Sequence, residues 1–339
     1  MQKNYTLETP CCSNTINLYS AKEPANENIK IAYLILCHCS PLHIARLVKK
    51  VTELNAHAFI HVDGNAELEP FINALNNHKR ATFIKDRIKI FWGGFSSIEA
   101  TIKLYKTALS YDNFDRFVIL QGLEYPIKSN EEIHEFFKNN ATKEFILAQN
   151  ATLRNDCRSI HKFRLYHFLD KPKSLAFKLT NKLKHYCLKF NYIPPLKPKY
   201  ARDNNGQKMS IYQGCAQIAL TRNAVEYIVN FYDNNQKFNN YFKNSFASDE
   251  SYFHTIIYNS KFSKNATGLI NNDFPRLLDF RNLTYFDYDN NSVKINFYTK
   301  KHEFDHFKDS NYLFFRKVDE RSNDLLDYID AYHKTNKDK

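Results

Sequence analysis

Over the first 150 residues, apolar runs of four to eight residues alternate with amphipathic stretches, and this punctuation limits the chain to few folds. Residues 30–37, 58–62, 88–92, 116–121 and 144–147 read as strands, and 41–54, 67–77, 97–110 and 130–139 as helices. A βαβα succession builds a mostly parallel sheet with helices on both faces, and ligands then gather at the carboxyl ends of the strands. The loops that follow strands are therefore where chemistry is expected. Beyond residue 150 the regular pattern lapses, then resumes with a strand over 211–220, helices over 223–232 and 249–259, strand-like pieces, and a terminal helix near 323–333 with a frayed tail.

The lapse coincides with the charge. Residues 151–208 hold 14 Lys and Arg against Asp156, Asp170 and Asp203, which is nearly all of the chain's net +12. An anionic partner is implied: a nucleotide, an acidic glycan or a membrane surface. Within this segment Leu175, Leu179, Leu183, Cys187 and Phe190 recur at helical spacing between lysines, which predicts a basic amphipathic helix over 174–190. Such a helix either packs its apolar face on the core or lies on an anionic membrane. Nucleic acid is the weaker partner, because no nucleic-acid-binding signature accompanies the charge.

With 339 residues, 43% of them hydrophobic and only 7 Gly, the chain buries a sizeable core and excludes collagenous and low-complexity classes. No apolar run approaches the roughly 20 residues that span a bilayer. Residues 1–29 lack the basic-then-apolar pattern of a secretory signal, so a cytoplasmic location is expected. Seven cysteines without framework spacing argue for reduced thiols. Cys37-His38-Cys39 is a poor metal site, since alternate side chains of a strand point oppositely.

His302-Glu303-Phe304-Asp305-His306 matches the H-E-x-x-H zinc pattern. Lys300 and Lys301 precede it, Asp305 sits between the ligands and no third ligand follows, so a solvated helix is the better reading. The chain has no P-loop, no G-x-G-x-x-G after a strand and no G-x-S-x-G, so any phosphorylated ligand must be held by side chains. Three carboxylate positions stand out. Asp63 ends the strand His61-Val62, Glu124 follows the most apolar strand in Gln121-Gly122-Leu123-Glu124-Tyr125-Pro126, and Ser248-Asp249-Glu250 opens a helix where the dipole keeps acids ionised. Each also has a plain structural reading as a turn former or a helix cap.

The run Phe91-Trp92-Gly93-Gly94-Phe95-Ser96-Ser97-Ile98-Glu99-Ala100, followed by 117–129 with Gln121-Gly122-Leu123-Glu124-Tyr125-Pro126, resembles the core of the core-2/I-branching glycosyltransferases, glycosyltransferase family 14. Further segments fall in family order: 31–38, 60–63, 214–222, 246–253 and 313–318, so that about residues 30–320 are covered. The resemblance implies an α/β, GT-A-like fold and an inverting, metal-independent transfer from a UDP-sugar, most often UDP-GlcNAc, to a glycan hydroxyl. UDP-xylose, UDP-glucuronic acid and UDP-glucose stay open as donors. It implies that Glu250 is the catalytic base, that Lys317 and an arginine bind the diphosphate, and that Asp63, His38 and Glu124 face the donor. Arg276 is the favoured arginine, with Arg281 and Arg316 as rivals. Trp92, Gly93, Asp249 and Gly214 are expected in the pocket or on the acceptor side.

The family pattern is not kept throughout. Ala247-Ser248 stands where the motif has Ser-Pro, Glu124 replaces Asp, and Cys215-Ala216 alters the acceptor-side block. A bacterial enzyme of surface polysaccharide or lipooligosaccharide synthesis is implied, with a glycan or lipid-linked acceptor and peripheral membrane contact through 151–208. The organisation expected is an N-terminal extension over 1–29, a nucleotide-sugar half over 30–150, the basic helical insertion over 151–208, an acceptor and catalytic half over 209–322, and a C-terminal helix and tail over 323–339. The alternative is a non-catalytic basic protein that keeps the fold and binds glycan or membrane.

Overall fold

The computed structural model describes residues 29–154, 162–170, 172, 174–189, 196–272, 275–289 and 294–337. The expected N-terminal extension lies outside the described residues except for Ile29. The N-terminal half runs β1 (Ile31–Cys37), α1 (Pro41–Val51), β2 (Ala56–Val62), α2 (Glu69–Leu75), β3 (Ala81–Phe83), α3 (Ser96–Tyr111), β4 (Arg116–Leu120), β5 (Glu124–Pro126), α4 (Asn130–Asn139) and β6 (Glu144–Asn150). There follow α5 (Leu175–Lys189), β7 (Ala201–Arg202), β8 (Lys208–Met209), β9 (Tyr212–Gly214), β10 (Ala219–Thr221), α6 (Arg222–Asn234), α7 (Gln236–Lys243) and α8 (Tyr252–Tyr258). The chain ends with β11 (Ala266–Leu269), β12 (Thr284–Tyr285), β13 (Phe314–Arg316) and α9 (Asn323–Lys337).

The main sheet has the order β11-β6-β10-β4-β1-β2-β3. Strands β1, β2, β3 and β4 are parallel, β11 is parallel to β6, and β10 is inserted antiparallel between β4 and β6. This is the layout of a GT-A-like α/β fold. Alternation along β1 explains its two-sided burial. Ile31, Tyr33 and Ile35 pack with Ile44, Leu47, Val48 and Val51 of α1 and with Leu325, Leu326 and Ile329 of α9. Ala32 and Leu34 face the opposite way, onto Ile98, Ile102, Tyr105 and Ala108 of α3. Each fully buried Val, Leu or Ile among them contributes about 1.5–3 kcal/mol.

Arg116, at the start of β4, is wholly buried. Its guanidinium donates to the carbonyls of Lys143 (2.6 Å), Asn140 (2.9 Å) and Ala141 (3.1 Å) and lies over the rings of Phe137 and Phe145. Those carbonyls are the open end of α4 and its exit loop, so one cation satisfies acceptors that burial would otherwise strand. Burial pushes its pKa down to about 10, which leaves it charged at neutral pH.

The structure departs from several sequence expectations and decides between others. Residues 88–92 form no strand. Their backbone is taken up by side chains, Ile88 N–H donating to His61 Nε2 (2.9 Å) and Ile90 N–H to Asp63 Oδ1 (3.0 Å), so the third strand is β3 instead. The strand expected over 211–220 divides into β9 and β10, both antiparallel along the edge of β6 opposite β11, with the ladder interrupted between Gly214 and Ala219. The helix expected over 249–259 divides at Ser251 into a single turn, Ser248–Glu250, and α8. The basic helix is present, but Leu175, Leu179 and Leu183 are 70%, 55% and 47% exposed, so that stripe does not pack on the core. The terminal helix also continues past His333 to Lys337. His302 and His306 lie exposed on a short helix, Lys301–His306, and Glu303 accepts from the N–H groups of Thr299 and Lys300. No helix among the described residues is long and apolar enough to cross a membrane.

Two core histidines set a pH limit. Burial lowers His43 to about 4 and His254 to about 3, from an ordinary value of 6.5. Both stay neutral in the fold while the unfolded chain takes up protons, so their contribution is complete above about pH 6.5 and is lost as pH falls, at about 1.4 kcal/mol per pH unit for each. Thermal unfolding followed from pH 7.5 to 5 should show this slope, and His254→Leu should flatten it.

Candidate active site

A cavity of about 450 Å³ opens at the carboxyl ends of β1, β2 and β4. Cys37 ends β1 and His38 follows it there, Asp63 follows β2, and Gln121 follows β4. The lining also includes Asp249 and Glu250, and Arg316 and Lys317 at the end of β13. Chemistry is thus placed in the loops that parallel topology leaves free, as the strand pattern predicts.

The C-terminal wall reaches the cavity through a second sheet, β12-β13-β5. In it β13 runs antiparallel to β5 with Arg316 opposite Glu124. Glu124 is wholly buried and is absent from the cavity lining. Its carboxylate accepts from the N–H groups of Gln121 (2.9 Å) and Leu123 (3.1 Å) and faces Arg316 Nε at 3.3 Å. Arg316 Nη1 also donates to Gln121 Oε1 (2.8 Å), which Gln217 Nε2 contacts from the other side (2.8 Å). Glu124 therefore shapes the loop after β4 and aims a guanidinium at the cavity.

Lys317 lies beside Arg316, its ammonium 5.7 Å from the Phe297 ring centre and paired with no carboxylate among the described residues. Loss of solvent around it, and then the Arg316 charge, lower its pKa below the ordinary lysine value. Two adjacent cations with only one buried counter-charge make an anion site. Of the three arginines weighed for this role, Arg316 is the one in the cavity wall. The Arg276 side chain is 75% exposed and faces Asp279 at 3.6 Å, outside the lining. Arg281 is occupied with the carbonyls of Leu278 and Phe286.

Glu250 ends the single turn that begins at Ser248. Ala247 before it has a left-handed backbone (φ 51°), and Ser248 Oγ donates to the Phe242 carbonyl (2.9 Å), which turns the two acids toward the cavity. Lys162, from the basic segment, forms an ion pair with Glu250 Oε2. Loss of water around the Asp249 carboxyl, and then the Glu250 charge, push its pKa up to about 6. At the first strand end, a hydrogen bond with Cys39 holds the His38 imidazole above its ordinary value, and the same bond lowers the Cys39 thiol.

The Trp-Gly-Gly turn joins these walls. Trp92 is 83% exposed at the cavity rim, with its ring edge-on to Phe246 at 5.2 Å. Gly93 has φ +76°, and a side chain there would press on Phe246 and Leu169 at 3.1 and 3.3 Å. Its carbonyl accepts from Ala247 N–H (2.8 Å), which ties the turn to the Glu250 block. Asp170 crosses from the basic segment to accept from Phe95 N–H (2.8 Å), Ser96 N–H (3.2 Å) and Ser96 Oγ (2.6 Å), capping α3. Asp63 lines the cavity and also holds its own turn, accepting from Asn65 N–H at 2.8 Å. Gly214 stands elsewhere: it lets β9 approach β6 and His254, where a methyl group would sit 2.2 Å from the Leu147 carbonyl oxygen.

The structure thus brings Glu250, Asp249, Lys317, Asp63, His38, Trp92 and Gly93 to one cavity, and leaves Arg276, Gly214 and the Glu124 carboxylate out of its lining. Lys162, Asp170 and Gln121 were not legible as site residues. Lys162 and Asp170 act 88 and 74 residues from their partners, and nothing local marks them.

The core-2/I-branching enzyme family model matches residues 31–308. Xylosyltransferase 2 of Mus musculus is 24% identical over 240 residues, covering 68% of this chain and 25% of that protein. A xylosyltransferase of Ciona intestinalis is 20% identical over 245 residues, covering 70% of this chain and 26% of that protein. The chain spans about a quarter of the length of these curated relatives. The match over residues 31–308, well over half of the chain, shows that the chain belongs to the core-2/I-branching enzyme family.

Proposed function

We propose that the protein is an inverting glycosyltransferase that moves a sugar from a UDP-sugar to a glycan hydroxyl without a divalent metal. The observation that carries this reading is that one cavity at the strand ends is lined by both Glu250 and the Arg316-Lys317 pair. Glu250 takes the proton from the acceptor hydroxyl as its oxygen bonds to the anomeric carbon. The bond from that carbon to the UDP oxygen breaks, its electron pair stays with the diphosphate, and Arg316 and Lys317 stabilise the charge that develops. Asp63 and His38 are assigned to the nucleoside and donor, and Trp92 with Gly93 to the rim where the acceptor enters. Asp249, its proton affinity raised by its surroundings, supports the turn that presents Glu250.

UDP-GlcNAc is the donor expected from the family at large, and the names of the matched relatives favour UDP-xylose as its rival. The acceptor in this reading is a glycan, free or lipid-linked, as in surface polysaccharide or lipooligosaccharide assembly on the cytoplasmic side of a membrane. Lys162 holds the Glu250 carboxylate in place before acceptor arrives.

Calorimetric titration with UDP and UDP-sugars in excess EDTA tests the reading. UDP should bind, and Lys317→Ala should weaken it by about tenfold to a hundredfold, the value of one charge-assisted contact. Glu250→Gln should keep UDP affinity and abolish transfer. No binding in EDTA, restored by manganese, would overturn the metal-free mechanism. Because the Lys317 pKa is lowered, UDP affinity should fall on the alkaline side earlier than an ordinary lysine allows, and Lys317→Arg should carry binding to higher pH. Lys162→Met should lower the transfer rate by about tenfold while leaving UDP affinity within about twofold, since it acts on the base and not on the diphosphate.

A further inference from the structure

Leucines spaced four apart along a helix usually mark the face that meets the core. On α5 they do the reverse: Leu175, Leu179 and Leu183 stand 70%, 55% and 47% exposed over more than two turns. Lys178 and Lys182, also exposed, form a parallel row one residue ahead of Leu179 and Leu183. An apolar stripe edged by lysines is the surface of a helix that lies in a membrane interface, with leucines in the acyl boundary and ammonium groups among lipid phosphates.

The place of the helix in the fold adds a second observation. Asp170 is clamped to the start of α3 by three hydrogen bonds, and Leu169 packs at Gly93. From Asp170 to Leu175 is five residues, a reach of at most about 17 Å. Helix α5 therefore leaves from the rim that carries Trp92, itself 83% exposed. Tryptophan is favoured at the level of lipid headgroups, where its ring meets the apolar boundary and its N–H meets water.

Charge selects the occupant. The segment 151–208 carries nearly all of the net +12, so a second copy seated on this stripe would bring two strongly basic segments together. An anionic bilayer meets both the leucines and the lysines. We propose that α5, through Leu175, Leu179, Leu183, Lys178 and Lys182, together with Trp92 at the cavity rim, is a docking surface for an anionic membrane. On the reading of the cavity given above, docking holds its mouth at the height of an acceptor carried on a lipid.

The test uses the full chain and sucrose-loaded vesicles of phosphatidylcholine, with and without one-third phosphatidylglycerol. The protein should sediment with the anionic vesicles and not the neutral ones, and more weakly as salt is raised. Trp92 is the only tryptophan, so its emission should shift to the blue on the same vesicles. Leu179→Glu with Leu183→Glu should abolish sedimentation, and Lys178→Gln with Lys182→Gln should weaken it by about thirtyfold. UDP affinity, measured on each variant, should be unchanged and shows that the fold is intact. Sedimentation of the glutamate variant equal to that of the parent, or an unshifted Trp92 emission, would overturn the proposal. So would a dimer in solution that the glutamate variant dissolves. Vesicle binding by a protein that fails to bind UDP would leave docking standing and remove the glycosyltransferase reading alone.

Discussion

The buried ion pair between Glu124 and Arg316, 3.3 Å apart, is the contact on which the rest of the site depends. It joins the loop after β4, in the N-terminal half, to the end of β13, near the C-terminus. A wholly buried carboxylate is tolerable only when its charge is met, and here two backbone N–H groups and a guanidinium meet it. The pairing is therefore a constraint in both directions. It shapes the Gln121–Leu123 turn, and it brings Arg316 and Lys317 to the open edge of the sheet.

The same economy runs through the opposite wall. The sequence has few glycines and no P-loop motif, and the cavity is lined by the cationic side chains of Arg316 and Lys317. The carboxylate opposite them is met by Lys162, reaching in from the basic segment. Asp170, from that segment too, caps α3 beside the Trp-Gly-Gly turn. The insertion between β6 and β7 is thus tied to the site at two points, and its charge is not only a surface property.

How much was legible differs from feature to feature, and the differences have physical causes. Strands β1, β2, β4 and β6 stood out because each is buried on both faces and reads as a mostly apolar run. The run at 88–92 looked the same, yet its N–H groups are claimed by His61 and Asp63, side chains that a pattern of apolar residues does not weigh. The α5 stripe was legible as a helix face, but periodicity says only that the face is apolar and not what covers it. Glu250 and Lys317 were found through the motifs around them. Arg316 remained one of three candidates, because its selection rests on a contact with Gln121 across 195 residues. Lys162 carried no local mark at all.

By itself the sequence determined the alternation of strand and helix, the two-sided core, the carboxyl-edge location of the cavity and the two acids and the lysine that line it. These follow from periodicities of two and 3.6 residues and from short motifs, which are local. Only the tertiary structure decided which arginine joins Lys317, that Glu124 supports the site without lining it, that Gly214 serves packing, and that the leucines of α5 face outward. Each of these depends on which distant segments are brought together, and burial with charge compensation, not residue type, makes that choice.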